Sequence, residues 1–187
     1  MPKREFDLDD AIAVLERTPA ALRAILEGLP DRWLTATEGP GTWSAHDVVG
    51  HLLHGERTDW IPRTRHILAG ESGPFDPFDR EAQFTESRGA TLAELLDRFE
   101  AARRASLAAL REMELTAEDL ARTGTHPVFG TVTLSQLLST WTVHDFDHIG
   151  QIARTMGKVY RTEVGPWKAY LSILGDREPR DETADAR

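Results

Sequence analysis

Apolar residues recur at spacings of three and four along most of the chain, and runs of alternating or β-branched residues are few. That pattern predicts helices rather than strands. A first helical segment spans Leu8 to Leu29, with Pro19 either kinking it or opening a second piece after Thr18. Gly28, Pro30 and the stretch "TATEGPGT" then mark a loop. A second helix begins after Ser44, a good cap with Asp47 three residues on, and runs to Ala69 with Pro62 disturbing its regularity. The third is bounded by the capping box Thr91 and Glu94 and continues to Glu112, and Thr116 to Ala121 adds a short turn. "THPVFGTVT" reads as a loop. Thr133 with Gln136 then opens a fourth helix from Leu134 to Gly157. Gly165 and Pro166 start a short final helix, "PWKAYLSIL".

Between the second and third helices lies "GESGPFDPFDREAQFTESRGA", rich in Gly, Pro and Asp. A connection of that length is either a functional lid or a crossover between layers of a bundle. Four principal helices with one long connection predict an all-α fold, a four-helix bundle with a long crossover. Residues 1–175 form one domain in this reading, and the polar stretch 176–187, "DREPRDETADAR", is expected to be a disordered tail.

Composition narrows the function classes. The formal net charge of −9, with basic residues scattered among acids, argues against nucleic acid as a partner, which needs clustered cations. No window reaches the ~18 apolar residues of a membrane span. The start "MPKREFDLDD" lacks the apolar core of a secretory signal, so a cytoplasmic location is expected. The chain has 0 cysteines, which removes disulfides, thiolate metal sites and any cysteine nucleophile. Any thiol chemistry must use a thiol from outside.

The candidate chemistry sits in the fourth helix, in "TWTVHDFDHIGQIA". On a helical wheel Leu134, Leu137, Leu138, Trp141, Ile149, Ile152 and Met156 share a broad apolar face, and His144 and His148 lie inside it, one turn apart. Two neutral imidazoles there need two sets of partners, and two protonated ones repel in a poor dielectric. A shared cation resolves both problems, each ring giving a lone pair to the metal and its other N–H to an acceptor. A third ligand should come from "TWSAHDVVGHLLHGE" in the second helix. There His46 falls on the polar side, His54 off the flank, and His51 beside the apolar stripe, with Gly55 one turn on; His51 is the choice. His66 and His126 lack partners at ligand spacing and read as hydrogen-bonding residues, while Trp33, Trp43, Trp60, Trp141 and Trp167 read as core anchors. "HDFDH" approaches the H-E-x-x-H zinc-protease pattern, but Asp145 is one methylene short of the base and only Glu163 offers a downstream carboxylate. Ser135, Ser139 and Ser172 match no nucleophile elbow.

Together, "W-S-x6-H-L" at Trp43, Ser44, His51 and Leu52 and "H-D-x-x-H-x-G-Q" from His144 to Gln151 resemble the DinB-like superfamily, the DNA-damage-inducible and YfiT-like proteins. The likeness extends from about Asp7 to Leu174. It implies a metal-binding four-helix bundle with a long crossover, commonly a homodimer. Its divalent metal is held by one histidine of the second helix and two of the fourth, which here are His51, His144 and His148. It also implies, for members of known activity, use of a low-molecular-weight thiol such as bacillithiol or mycothiol. This chain carries His54 where aspartate or alanine is frequent, which leaves open whether His54 joins the site.

Three imidazoles leave a tetrahedral ion one open position and an octahedral ion three. The expectation is a thiol S-transferase, in which the cation stabilises the thiolate of a small thiol that attacks a small-molecule substrate. Glu56, Asp59 and Asp145 are the candidates for hydrogen-bonding the ligands or carrying protons. With water in place of thiol the same site is a hydrolase, and with a closed shell it is a non-catalytic metal-binding stress protein. Zinc or nickel suits three neutral nitrogens first, iron or manganese next.

Overall fold

The computed structural model describes residues 5–175; the proposed tail at 176–187 lies outside the described residues. The helical frame follows the predicted order, with the long segments divided at physically intelligible points. α1 (Leu8–Leu15) is capped by the Asp7 carboxylate, which accepts the Asp10 N–H, and α2 (Thr18–Leu26) starts with Pro19 in its first turn. Of the two roles open to Pro19, it takes that of opening a second piece. A single turn, α3 (Asp31–Leu34), follows.

The predicted second helix is two: α4 (Ala45–Thr58) and α5 (Trp60–Ala69), broken at Asp59 with φ −112° and ψ −71°. Pro62 causes the break from a distance. Its ring would collide with the carbonyl four residues back, at Thr58, so the ladder stops there and the proline lands in the first turn of α5. The Thr58 hydroxyl bonds back to the His54 carbonyl at 2.9 Å and occupies the last turn. α6 (Ala82–Glu86) is a short helix within the long connection, packed on α4. α7 (Leu92–Glu112) carries the predicted Thr91–Glu94 capping box, and α8 (Ala117–Ala121) is the predicted short turn.

The stretch read as a loop contains a hairpin instead. β1 (Thr123–His126) and β2 (Gly130–Thr133) pair antiparallel with Thr123 opposite Thr133 and His126 opposite Gly130. α9 (Leu134–Lys158) follows directly, through the Thr133–Gln136 capping box. The predicted final helix is two 3₁₀ segments, Gly165–Tyr170 and Ser172–Leu174, of which Leu174 alone is buried. Trp167 lies there 68% exposed and is no core anchor. Among the described residues no helix is long and apolar enough to cross a membrane.

The core is divided into two apolar clusters. One gathers Leu15, Trp60, Leu107 and Trp141, the other Leu22, Leu53, Phe99 and Ile152. On each arm of the bundle a buried polar residue stands between them: Thr18 between Leu15 and Leu22, Glu56 between Leu53 and Trp60, Arg103 between Phe99 and Leu107, Asp145 between Trp141 and Ile152. The four meet. Arg103 Nε donates to Glu56 Oε1 at 2.9 Å, and its two Nη groups donate to Asp145 at 2.7 and 3.0 Å. Thr18 donates to Asp145 at 2.5 Å, Arg103 also reaches the Leu15 carbonyl at 2.8 Å, and Trp141 Nε1 donates to Glu56 at 3.0 Å. A hydrogen-bonded ionic layer therefore crosses the bundle and ties α1, α2, α4, α7 and α9 in one register.

Candidate metal centre

His51 from α4 and His144 and His148 from α9 converge. His144 Nε2 stands 3.1 Å from His51 Nε2 and 3.1 Å from His148 Nε2. Among the described residues these three form the group of histidine, cysteine and carboxylate side chains whose ligand atoms lie mutually close enough for one ion. One ring nitrogen carries either a proton or a lone pair, so a single proton serves at most one of the two short contacts at His144 well. One cation would take a lone pair from all three. Metal–nitrogen bonds of about 2.1 Å set nitrogen–nitrogen separations of roughly 3.0–3.4 Å for tetrahedral or facial octahedral sites. The spacing here falls in that range, and the three neutral nitrogens fit a borderline divalent ion.

Each ring is prepared for that role. Gln151 Oε1, which can only accept, lies 2.9 Å from His148 Nδ1. The proton is thereby fixed on Nδ1 and the Nε2 lone pair faces the group. His51 is pushed down to about 2, first by burial and then by the neighbouring His148 and His144. It stays neutral across the physiological range. Trp43 packs over His51, with ring centroids 4.7 Å apart, and stacks at 15° on His148, while Phe78 meets His51 edge-on and Trp60 meets His144. The aromatic collar keeps the imidazoles in place and lowers the local dielectric.

The trio forms part of the wall of a cavity of about 1000 Å³. Its rim draws Glu38, Thr42 and Trp43 from the loop before α4, Phe75 and Phe78 from the long connection, and Phe129 from the hairpin tip. Of the three carboxylates expected to serve the metal ligands, Asp59 alone lines this space. It is buried, and Arg63 Nε stands 2.6 Å from its Oδ1. Burial pushes its carboxyl up to about 6, with the Arg63 and His54 charges pulling the other way.

Glu56 and Asp145 do not serve the histidines. They face the interior layer, where Arg103, Trp141 and Thr18 engage their oxygens. The same contacts remove Asp145 as a protease-like base. His54 does not join the trio either. It is buried and its Nδ1 lies 3.0 Å from Glu86 Oε1 on α6. His46 is half-buried rather than solvent-facing, its Nε2 donating to the Ala90 carbonyl at 2.9 Å. His66 sits near Glu71, and His126 Nδ1 accepts the N–H groups of Val128 and Phe129 that shape the hairpin turn.

Two residues have roles that the sequence reading did not assign. Gln151 closes the His144–Gln151 motif without a role there, and its signal is its place three residues past His148, the spacing at which a helical side chain reaches back. Arg103 interrupts an otherwise apolar face between Phe99 and Leu107, and a lone arginine at such a position marks a buried ion pair.

Fold and site together define a helical bundle whose facing helices present a three-histidine, metal-competent centre to a cavity. The DinB superfamily profile matches residues 14–152, and the chain belongs to that superfamily. It is 30% identical over 162 residues to the Bacillus subtilis (strain 168) protein described as "Putative metal-dependent hydrolase YfiT", covering 80% of this chain and 85% of the relative. The solved structure of Bacillus subtilis YfiT, described as a probable metal-dependent hydrolase with an unusual four-helix bundle topology, superposes with a TM-score of 0.71. That alignment has 26% identity and covers 88% of this chain and 93% of the other.

Proposed function

We propose that this protein is a metal-dependent hydrolase of small molecules in which His51, His144 and His148 hold a divalent cation. The observation that carries the reading is the meeting of three Nε2 atoms from two helices at the wall of a substrate-sized cavity. A bound cation supplies Lewis acidity toward a carbonyl or an attacking water. The chain's own residues do the rest. Burial keeps His51 unprotonated, Gln151 holds the His148 ring, and the Trp43 and Phe78 rings limit water around the imidazoles. Asp59, in the same cavity wall and ion-paired to Arg63, would take a proton from the attacking water and pass it to the leaving group, a role that a carboxyl raised by burial to about 6 suits.

Thiol transfer is the second reading. The cavity extends well beyond the ligand nitrogens and has room for a second reactant, and with 0 cysteines the chain supplies no thiol of its own. A single screen separates the readings. Untagged protein is analysed for bound metal, then assayed on ester, amide and electrophilic substrates with and without an added small thiol, beside His148→Ala. Thiol-independent turnover lost with the metal supports hydrolysis, thiol-dependent turnover supports transfer, and a tightly bound metal with neither supports a non-catalytic metal protein. The homodimer belongs to the same proposal and is read by light scattering.

A further inference from the structure

Arg63 has no part in holding the metal, yet it lines the same cavity. It is 9% exposed and comes from α5, immediately after the Asp59 break. Its guanidinium carbon lies over the Phe75 ring, 5.3 Å from the centroid, and Phe75 is itself 2% exposed, so the group rests against a buried aromatic side chain. A guanidinium has five N–H donors in a rigid fork. Among the described residues Arg63 makes one hydrogen bond, from Nη2 to the Asp76 carbonyl at 3.2 Å, and one ion pair, through Nε to Asp59. The Nη1 side of the fork has no protein acceptor among those contacts.

The charge around this group is balanced, unlike the rest of the molecule. The chain carries a net −9, whereas the cavity wall sets Arg63, Arg80 and Arg154 against Glu38, Asp59 and Asp147. Glu38 is held by Arg154 at 2.6 Å and Lys158 at 3.4 Å, and Asp59 by Arg63. The apolar remainder is aromatic and aliphatic: Trp60, Phe75, Phe78, Phe129, Val132 and Leu137.

We infer that the cavity takes an organic carboxylate, its anionic end on the open edge of the Arg63 fork and its apolar body along the aromatic wall. The inference rests on the hydrolase reading for what happens at the other end of the substrate, but the recognition of the carboxylate stands on Arg63 alone. A planar two-oxygen group matches the one available edge of the fork. A phosphoryl dianion would bring more charge against Asp59, which is ion-paired to the same guanidinium through Nε at 2.6 Å, and is disfavoured.

The test uses full-length protein stripped of metal and then freed of chelator by gel filtration, so that a carboxylate cannot bind through the cation. Binding of 4-phenylbutyrate, 4-phenylbutanamide and 3-phenylpropylphosphonate is followed by calorimetry and by the fluorescence of Trp43 and Trp60 in the cavity wall. The expected result is a preference for the carboxylate over the amide of roughly tenfold or more, the scale of a charge-assisted pair. Arg63→Lys keeps a cation beside Asp59 but lacks the fork, and should cut that preference to less than about threefold with an unchanged melting profile. Arg154→Gln should leave it intact. Equal binding of carboxylate and amide, tighter binding of the phosphonate, or loss of preference in Arg154→Gln but not in Arg63→Lys would each overturn the inference. Hydrolysis measured separately on loaded protein reports on the other reading: absence of turnover with the preference intact leaves the Arg63 site standing, and equal turnover of neutral and anionic esters removes it.

Discussion

Arg103 shows how much one side chain can decide. It holds Glu56 and Asp145 together in the interior, and burial already pushes the Glu56 carboxyl up while the Arg103 cation opposes it. Arg103→Met leaves two buried carboxylates with no cation, so unfolding in urea should show a loss of about 3–5 kcal/mol. Replacing Glu56, Arg103 and Asp145 together by apolar residues of similar volume should recover most of that loss, because the whole layer is costly to desolvate. His51 gives a pH dependence of definite sign. Its folded-state value of about 2 lies below the ordinary 6.5. Between those limits the unfolded chain binds the proton and the folded chain does not, so metal-free protein should lose stability as pH falls from 6.5 toward 2. Denaturation midpoints at pH 7 and pH 5 measure this, and His51→Gln should flatten the difference. At this scale the sequence was read well where a residue's helix face fixed its fate. His144, His148 and His51 all project inward as the periodicity implied. Asp145 falls near the apolar face of its helix, but neither it nor Glu56 was legible as a partner of Arg103, because that pairing joins residues 42 and 47 positions apart.

Elements were legible where their ends carry chemistry. The caps expected at Ser44, Thr91 and Thr133 are all formed as capping boxes, and the starts of α4, α7 and α9 follow from them; a fourth box, Thr116 with Asp119, opens the short α8. The hairpin is not legible because four-residue strands of threonine, glycine and histidine with Val132 as the one apolar residue show no usable alternation. Tertiary contact makes it a hairpin. Gly124 on β1 lies so close to α5 and the crossover that a Cβ there would meet the Phe75 ring at 2.7 Å and Ile67 Cγ1 at 2.8 Å. Phe75 in turn donates its backbone N–H to the Thr125 carbonyl at 2.9 Å. Gly124→Ala should therefore cost about 1–3 kcal/mol by overpacking, and it should loosen the cavity wall formed by Phe75 and Phe129. Thermal melts read the first effect and Trp43 fluorescence the second. The α4–α5 break is not evident in the sequence for a related reason. Pro62 was visible, but a proline's steric demand falls on the carbonyl four residues earlier, and at the resulting break Asp59 becomes a cavity residue.

The arrangement of the whole molecule separates what holds the bundle together from what it presents. Both apolar clusters and the ionic layer lie among the buried faces of the helices, whereas the three imidazole Nε2 atoms face the cavity. A cation at the histidines would bridge α4 and α9, but those helices are already joined through Glu56, Arg103 and Asp145. Metal removal should accordingly leave the far-ultraviolet circular dichroism unchanged. Metal should instead raise the melting temperature by mass action, with stability increasing by about 2.7 kcal/mol at a free ion concentration 100 times Kd. His148→Ala should abolish that concentration dependence while retaining the metal-free melting temperature to within a few degrees. Collapse of the helical signal on chelation would mean that the ion is part of the core, and would move the protein from the hydrolase reading to the structural one. The division also explains which part of the site the sequence disclosed. Ligands on two regular helices repeat with the helix and can be placed on a wheel. The cavity that makes them useful is assembled from a loop, a crossover and a hairpin, whose meeting depends on contacts across the fold.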